Sequence, residues 1–327
     1  MKKLLALLMV LVLVVSLVAA CGDDAADAPA GNDGDNIVIG FSQPTMDSPF
    51  YTALVEKAHE VAAYHGVELI VVDAANDVQR QNMDIADLLV RGIDALILNP
   101  VDADGVAPSV QAANEAGVPI ITVDRPINED VFSFVGRDNE AMGRMIGEFA
   151  VDLLGGVGNA EGVVLEVLGA AGCNVMQARS DGFRGPIDAE PGITVIQSPH
   201  SDYIRSRALT ATNDILQAHR DIVLVYGHND DMALGALQAF MDNGLEDIYI
   251  VGVDGLMEAV QAIAEGGDFK ATAMNDPSAL GQLAIEMALA AIRGEVGIRE
   301  IDAGSLVIDI TNASQFIDPT KMFAELD

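Results

Sequence analysis

The chain has 327 residues, half of them hydrophobic, and a formal net charge of −33. So acidic a surface repels nucleic acid and anionic lipid, which makes both poor partners. Two cysteines and five scattered histidines provide neither a disulfide framework nor zinc-ligand spacing.

Residues 1–20 read as a lipoprotein signal peptide. Lys2 and Lys3 precede an apolar run from Leu4 to Val15, and small residues then lead to Cys21. The run is too short to span a bilayer and acidic sequence follows it. On this reading Cys21 is acylated and becomes the first mature residue, tethered by lipid outside the cytoplasm. The alternative is an ordinary export signal with Cys21 incidental. Removal of Lys2 and Lys3 takes the charge from −33 to −35 and leaves Lys57, Lys270 and Lys321 as the lysines. Such a surface suits either a saline habitat or simply an acidic exported protein. Cys173 then has no partner, so the fold must rest on its core. Residues 21–36, rich in Gly, Asp, Ala and Pro without apolar periodicity, read as a flexible acidic linker.

From Ile37 onward short β-branched runs alternate with helical patterns, as in parallel sheets with crossover helices. Ile37 to Phe41 reads as a strand. Ser48 and Pro49 then open a helix with Phe50, Leu54, Ala58 and Val61 on one face, ended by Gly66. Strands follow at Val67 to Val72, Ala95 to Leu98, Val118 to Val123 and Val131 to Val135, with a helix to Arg91 and another before Val118. A second series has a helix at Met142 to Leu154, a strand at Val163 to Leu168 and a helix at Ser180 to Ala189. Further strands are expected at Thr194 to Gln197, Ile222 to Tyr226 and Ile248 to Val253. Helices are expected near Ser206 to Ala218, Met232 to Asn243 and Met257 to Glu265. The expected architecture is α/β, with two doubly wound parallel-sheet lobes facing one another across a cleft.

In open α/β sheets ligands lie beyond the carboxyl ends of the strands. Here those ends carry Ser42, Asp73, Asn99, Asp124, Arg125, Asn229, Asp254 and Asn275. Asp73, Asn76 and Asn99 read first as caps and turn residues. Asp124-Arg125-Pro126 opens no helix, and an acid beside a guanidinium suits polyhydroxyl recognition, since one accepts from hydroxyls while the other donates in a fork. With no Trp in the chain, Phe50, Tyr51 and Tyr203 are the candidates for stacking on a sugar face, each with packing as its alternative. Gly155-Gly156-Val157-Gly158 follows a helix and precedes a strand, the reverse of a dinucleotide fingerprint. The stretch from Asp73 to Gln79 lacks the ligand spacing of a calcium loop. No catalytic elbow or carboxylate pair is evident, although an exported enzyme using Asp124 or Asp254 as acid or base stays open.

From Ile37 to about Ile310 the chain resembles the type I periplasmic binding proteins of sugar ABC transporters, the ribose- and galactose-binding group. The resemblance lies in Ser48-Pro49-Phe50-Tyr51, Leu89 to Ala95 before Asn99-Pro100, Val118 to Arg125, Asp138-Asn139, Arg179 to Phe183, His228 to Ala236 and Val251 to Gly255. It implies a first lobe of residues 37–137 plus 277–302, a second of 138–276 plus 303–327, and a three-strand hinge near Asp138, Asn275 and Ala303. It further implies that Ser48, Phe50, Tyr51, Asp124 and Arg125 bind from the first lobe. Tyr203, Asn229, Asp254 and Asn275 would bind from the second, with Asn139 near the first crossover. By the same resemblance a sugar-binding arginine position falls on Gln177, Asn275 replaces a longer amide, and Val253 widens the pocket in place of an aromatic. The implied protein is a monomeric solute receptor without cofactor, metal or catalytic residues. Its partners would be a monosaccharide or polyol, the subunits of an ABC permease, and the membrane through lipid on Cys21. The alternative from the same fold is a receptor for an autoinducer or nucleoside that feeds a signalling system.

Overall fold

The computed structural model describes residues 36–326. The signal peptide, Cys21 and all of the linker but Asn36 therefore lie outside the described residues.

The chain first lays down β1 (Val38–Gln43), α1 (Pro49–Tyr64), β2 (Glu68–Asp73), α2 (Val78–Val90), β3 (Ala95–Leu98), α3 (Ala107–Glu115), β4 (Ile120–Val123) and β5 (Ser133–Gly136). It then passes to a second sheet through α4 (Asn139–Leu153), β6 (Glu161–Val167), α5 (Asn174–Asp188), β7 (Gly192–Gln197) and α6 (Arg205–Leu216). That lobe continues with β8 (Ile222–Gly227), α7 (Asp230–Asp242), β9 (Tyr249–Asp254), α8 (Met257–Ala264) and β10 (Phe269–Met274). Helix α9 (Pro277–Ile292) and β11 (Glu300–Asp302) return to the first lobe, and β12 (Val307–Asp309) closes the second.

The two six-stranded sheets have matching orders, β11-β5-β4-β3-β1-β2 and β12-β10-β9-β8-β6-β7. Every pairing is parallel except the antiparallel β10–β12 edge. This is the expected α/β architecture of two doubly wound lobes. The chain crosses between sheets three times, at Arg137-Asp138, at Asn275-Asp276 and from Ala303 to Leu306. Two of these crossings feed directly into helices capped by aspartates: Asp138 Oδ1 accepts from Ala141 N at 2.8 Å, and Asp276 Oδ1 from Ser278 N at 2.8 Å.

Strand periodicity puts each sheet between two helical layers. On β3, Ala95 and Ile97 pack with α1 and α9, whereas Leu96 and Leu98 pack with Ile85, Leu88, Val110 and Ala113 of α2 and α3. On β9, Val251 and Val253 face Met142, Ile146 and Phe183 of α4 and α5. Helices α4 and α5 cross closely because Gly143 lies on the Arg179 carbonyl and Gly182 on the Glu140 carbonyl, leaving no room for a Cβ at either point. Helix α5 starts at Asn174, six residues before the expected Ser180, because Cys173 in extended backbone serves as its N-cap.

Candidate functional site

Eleven residues from both lobes line a small cavity: Ser48, Phe50, Tyr51, Asp124, Arg125, Val175, Arg179, Tyr203, Asn229, Asp254 and Asn275. Ser48, the extended residue ahead of Pro49 and α1, makes no side-chain cap bond, and it lines the cavity.

At the tip of β4, Asp124 takes up a left-handed backbone with φ 64°. At the equivalent tip in the other lobe, the end of β9, Asp254 has φ 124°. Tyr203, also non-glycine, has φ 62°. Such conformations are costly and persist where the surroundings hold them, most often around ligands.

In the first lobe Arg125 donates through Nη2 to the Tyr51 hydroxyl at 2.6 Å and through Nη1 to the Pro100 carbonyl at 3.0 Å. Its Nε lies 3.8 Å from Asp124 Oδ2 and, though buried, has no hydrogen-bond partner. Asn99, anchored on Gln43 Oε1 at 3.1 Å, approaches the same Asp124 oxygen at 3.5 Å. In the second lobe Arg179 donates to Asn139 Oδ1 at 2.9 Å, to the His228 carbonyl and to Asp254 Oδ1 at 3.3 Å. Asn275 Nδ2 donates to that same Asp254 oxygen at 3.1 Å. Asn229 caps α7 by accepting from Met232 N at 2.9 Å, which leaves its amide N–H groups for the cavity. Behind this wall a buried Glu166 carboxylate accepts from Ser180 Oγ at 2.6 Å and Gln197 Nε2 at 2.9 Å and meets His228 Nε2 at 2.9 Å.

Burial dominates the electrostatics. It raises Asp254 to about 6 against the pull of Arg179 and Asn275. Burial also raises Asp124, although Arg125 and Arg179 oppose it. Burial works against the charge on both arginines as well, but Tyr51, Cys173 and Asp124 around Arg125, and Asp254 beside Arg179, outweigh it. The Tyr51 and Tyr203 hydroxyls are pushed up by burial and remain protonated donors. The result is two carboxylate acceptors, two fixed guanidinium donors and two amides, set between the rings of Phe50, Tyr51 and Tyr203. That set complements a small polyhydroxyl molecule with apolar C–H faces.

A periplasmic binding protein domain model matches residues 39–296. The chain belongs to that family. The ribose import binding protein of Bacillus subtilis (strain 168) is 34% identical over 93% of this chain and 97% of its own. The xylitol-binding protein of Mycolicibacterium smegmatis (strain ATCC 700084 / mc(2)155) is 31% identical over 84% of this chain and 77% of its own. Among solved structures, an ABC transporter solute binding protein from Mycobacterium smegmatis with bound glycerol superposes with a TM-score of 0.85. It is 48% identical, over 89% of this chain and all of that one.

Within this periplasmic binding protein, nine of the residues singled out from the sequence come together around the cavity, and two do not. Gln177 points outward from α5 and donates to Asp181 at 2.7 Å, so it is exposed and lies outside the cavity lining. The arginine of that helix in the cavity is Arg179, two residues on, so the second guanidinium is present after all. Asn139 is one step removed, holding Arg179 by its Nε. Val253 does not widen the cavity, because alternation along β9 turns it into the core beneath α4 and α5. Arg179 and Val175 were missed. The available signal was helical spacing: Val175, Arg179 and Phe183 recur every four residues on one face, opposite Gln177. Asp73 makes a turn, accepting from Ala75 N at 2.8 Å, in line with its structural reading.

Proposed function

We propose that this chain is an extracytoplasmic solute receptor that closes its lobes around a monosaccharide or related polyol and delivers it to an ABC permease. The observation carrying this reading is the donor and acceptor set of the cavity. Asp124 and Arg125 from one lobe oppose Arg179, Asp254 and Asn229 from the other, so one hydroxylated molecule satisfies both walls only when the lobes are shut. The relatives named for ribose and xylitol, and the glycerol held by the similar solved structure, favour the same ligand class. Tethering through an acylated Cys21 rests on the sequence pattern alone, and a monomer suits a two-lobed receptor. Among the described residues no helix is long and apolar enough to cross a membrane.

The test is a thermal-shift screen of the purified protein against pentoses, hexoses, xylitol, glycerol, myo-inositol, nucleosides and amino acids. A ligand at about 100 times its dissociation constant adds roughly 2.7 kcal/mol and raises the midpoint by about 5–10 °C. A shift confined to one or two sugars or polyols is expected. Silence for all of them, with a response to a nucleoside or amino acid, would overturn the reading while keeping the fold.

A further inference from the structure

Arg137 lies outside the cavity lining, and it is 6% exposed. It occupies the first crossover, and its guanidinium binds both of the others. Nε donates to the Gly304 carbonyl of the third crossover at 2.6 Å. Nη1 donates to the Asp276 carbonyl of the second at 2.9 Å and to Asn275 Oδ1 at 3.0 Å. Gly304 is shaped for this contact: its φ is 74°, and its N–H is held by Asp302 Oδ1 at 2.9 Å. Asp276, Asp302, Asp124 and Asp254 surround Arg137 electrostatically. A planar fork of donors can join three strands at once in a way an ammonium cannot.

The bond to Asn275 also decides how that side chain meets a ligand. With Oδ1 turned to Arg137 and one N–H given to Asp254, the Asn275 amide keeps its second N–H to offer a bound molecule. Without Arg137 the amide is free to turn over, presenting an acceptor to the cavity and losing its bond to Asp254. We propose that Arg137 is a positioning residue for ligand binding, fixing Asn275 as a donor at the cavity wall. This rests on the solute-receptor reading given above.

The experiment is a double-mutant cycle on the full chain, with D-ribose and xylitol titrated calorimetrically into wild type, Arg137→Met, Asn275→Ala and the double variant. Arg137→Met is expected to weaken binding at least tenfold in the wild-type background and less than twofold in the Asn275→Ala background. Equal losses in both backgrounds, or no loss in either, would overturn the proposal, since a residue serving only the fold acts independently of Asn275. Should Arg137→Met fail to fold, Arg137→Lys, which keeps the charge without the fork, takes its place in the same cycle. Should wild type bind neither probe, the solute reading is the part in difficulty, and the side-chain amide resonances of ligand-free protein decide for Arg137. A shifted or broadened Asn275 NH2 pair in the variant supports the proposal, and an unchanged pair overturns it.

Discussion

Replacing Arg179 with Met removes the cation that faces Asp254 while keeping a long apolar side chain beside Val175. Three groups lose a donor: Asp254 Oδ1, Asn139 Oδ1 and the His228 carbonyl. Arg179 and Asp254 have side chains only 3% and 5% exposed, so the carboxylate is left buried and uncompensated. Removing one member of such a pair costs about 3–5 kcal/mol, and the thermal midpoint is expected to fall by about 10 °C. The effect depends on pH in a direction the site fixes. Burial raises folded Asp254 from 3.8 to about 6, so between those values the folded protein holds more proton there than the unfolded chain. Stability from this group is therefore full below pH 3.8 and is lost as pH rises through about 6, roughly 3 kcal/mol in all. Without Arg179 the carboxyl rises further, so the gap between variant and wild type should be wide at pH 8 and narrow at pH 5. Asp254→Asn in the Arg179→Met background should recover at least half of the loss. Unfolding followed by circular dichroism at both pH values is the assay. An equal gap at pH 5 and pH 8, or no recovery on adding Asp254→Asn, would refute the reasoning.

Gln177→Ala should leave calorimetric affinity for D-ribose or xylitol within a factor of two, because that side chain is paired only with exposed Asp181; a tenfold loss would put it back in the site. Gly182→Ala drives a Cβ into the Glu140 carbonyl where α4 and α5 cross, and overpacking of this kind costs about 1–3 kcal/mol. A wild-type unfolding midpoint for that variant would mean the two helices separate freely.

Strand tips were legible because a parallel sheet needs β-branched runs and leaves its polar residues at their ends. Asp124, Arg125, Asn229, Asp254 and Asn275 all sit where that logic put them. Helix faces were harder. A helical pattern that begins at Ser180 leaves Arg179 outside it, so the face Arg179 shares with Val175 and Phe183 is not legible and the resemblance puts the arginine position on Gln177. The strain at Asp124, Tyr203 and Asp254 leaves no trace in composition, since nothing in a residue's identity records a left-handed backbone it is forced to adopt. Arg137 was passed over for a similar reason: its partners lie 138, 139 and 167 residues away and converge only once both sheets exist.

The triple exchange of chain between the sheets bears on how the protein is made. The first lobe lacks α9 and an edge strand until residue 302 has emerged, and the second lacks β12 until residue 309. At synthesis rates of about 5–20 residues per second, neither sheet has all of its strands for some tens of seconds. The last strand of each sheet is thus among the final parts of the chain to be made. That suits a polypeptide whose working place lies across a membrane from the site of its synthesis.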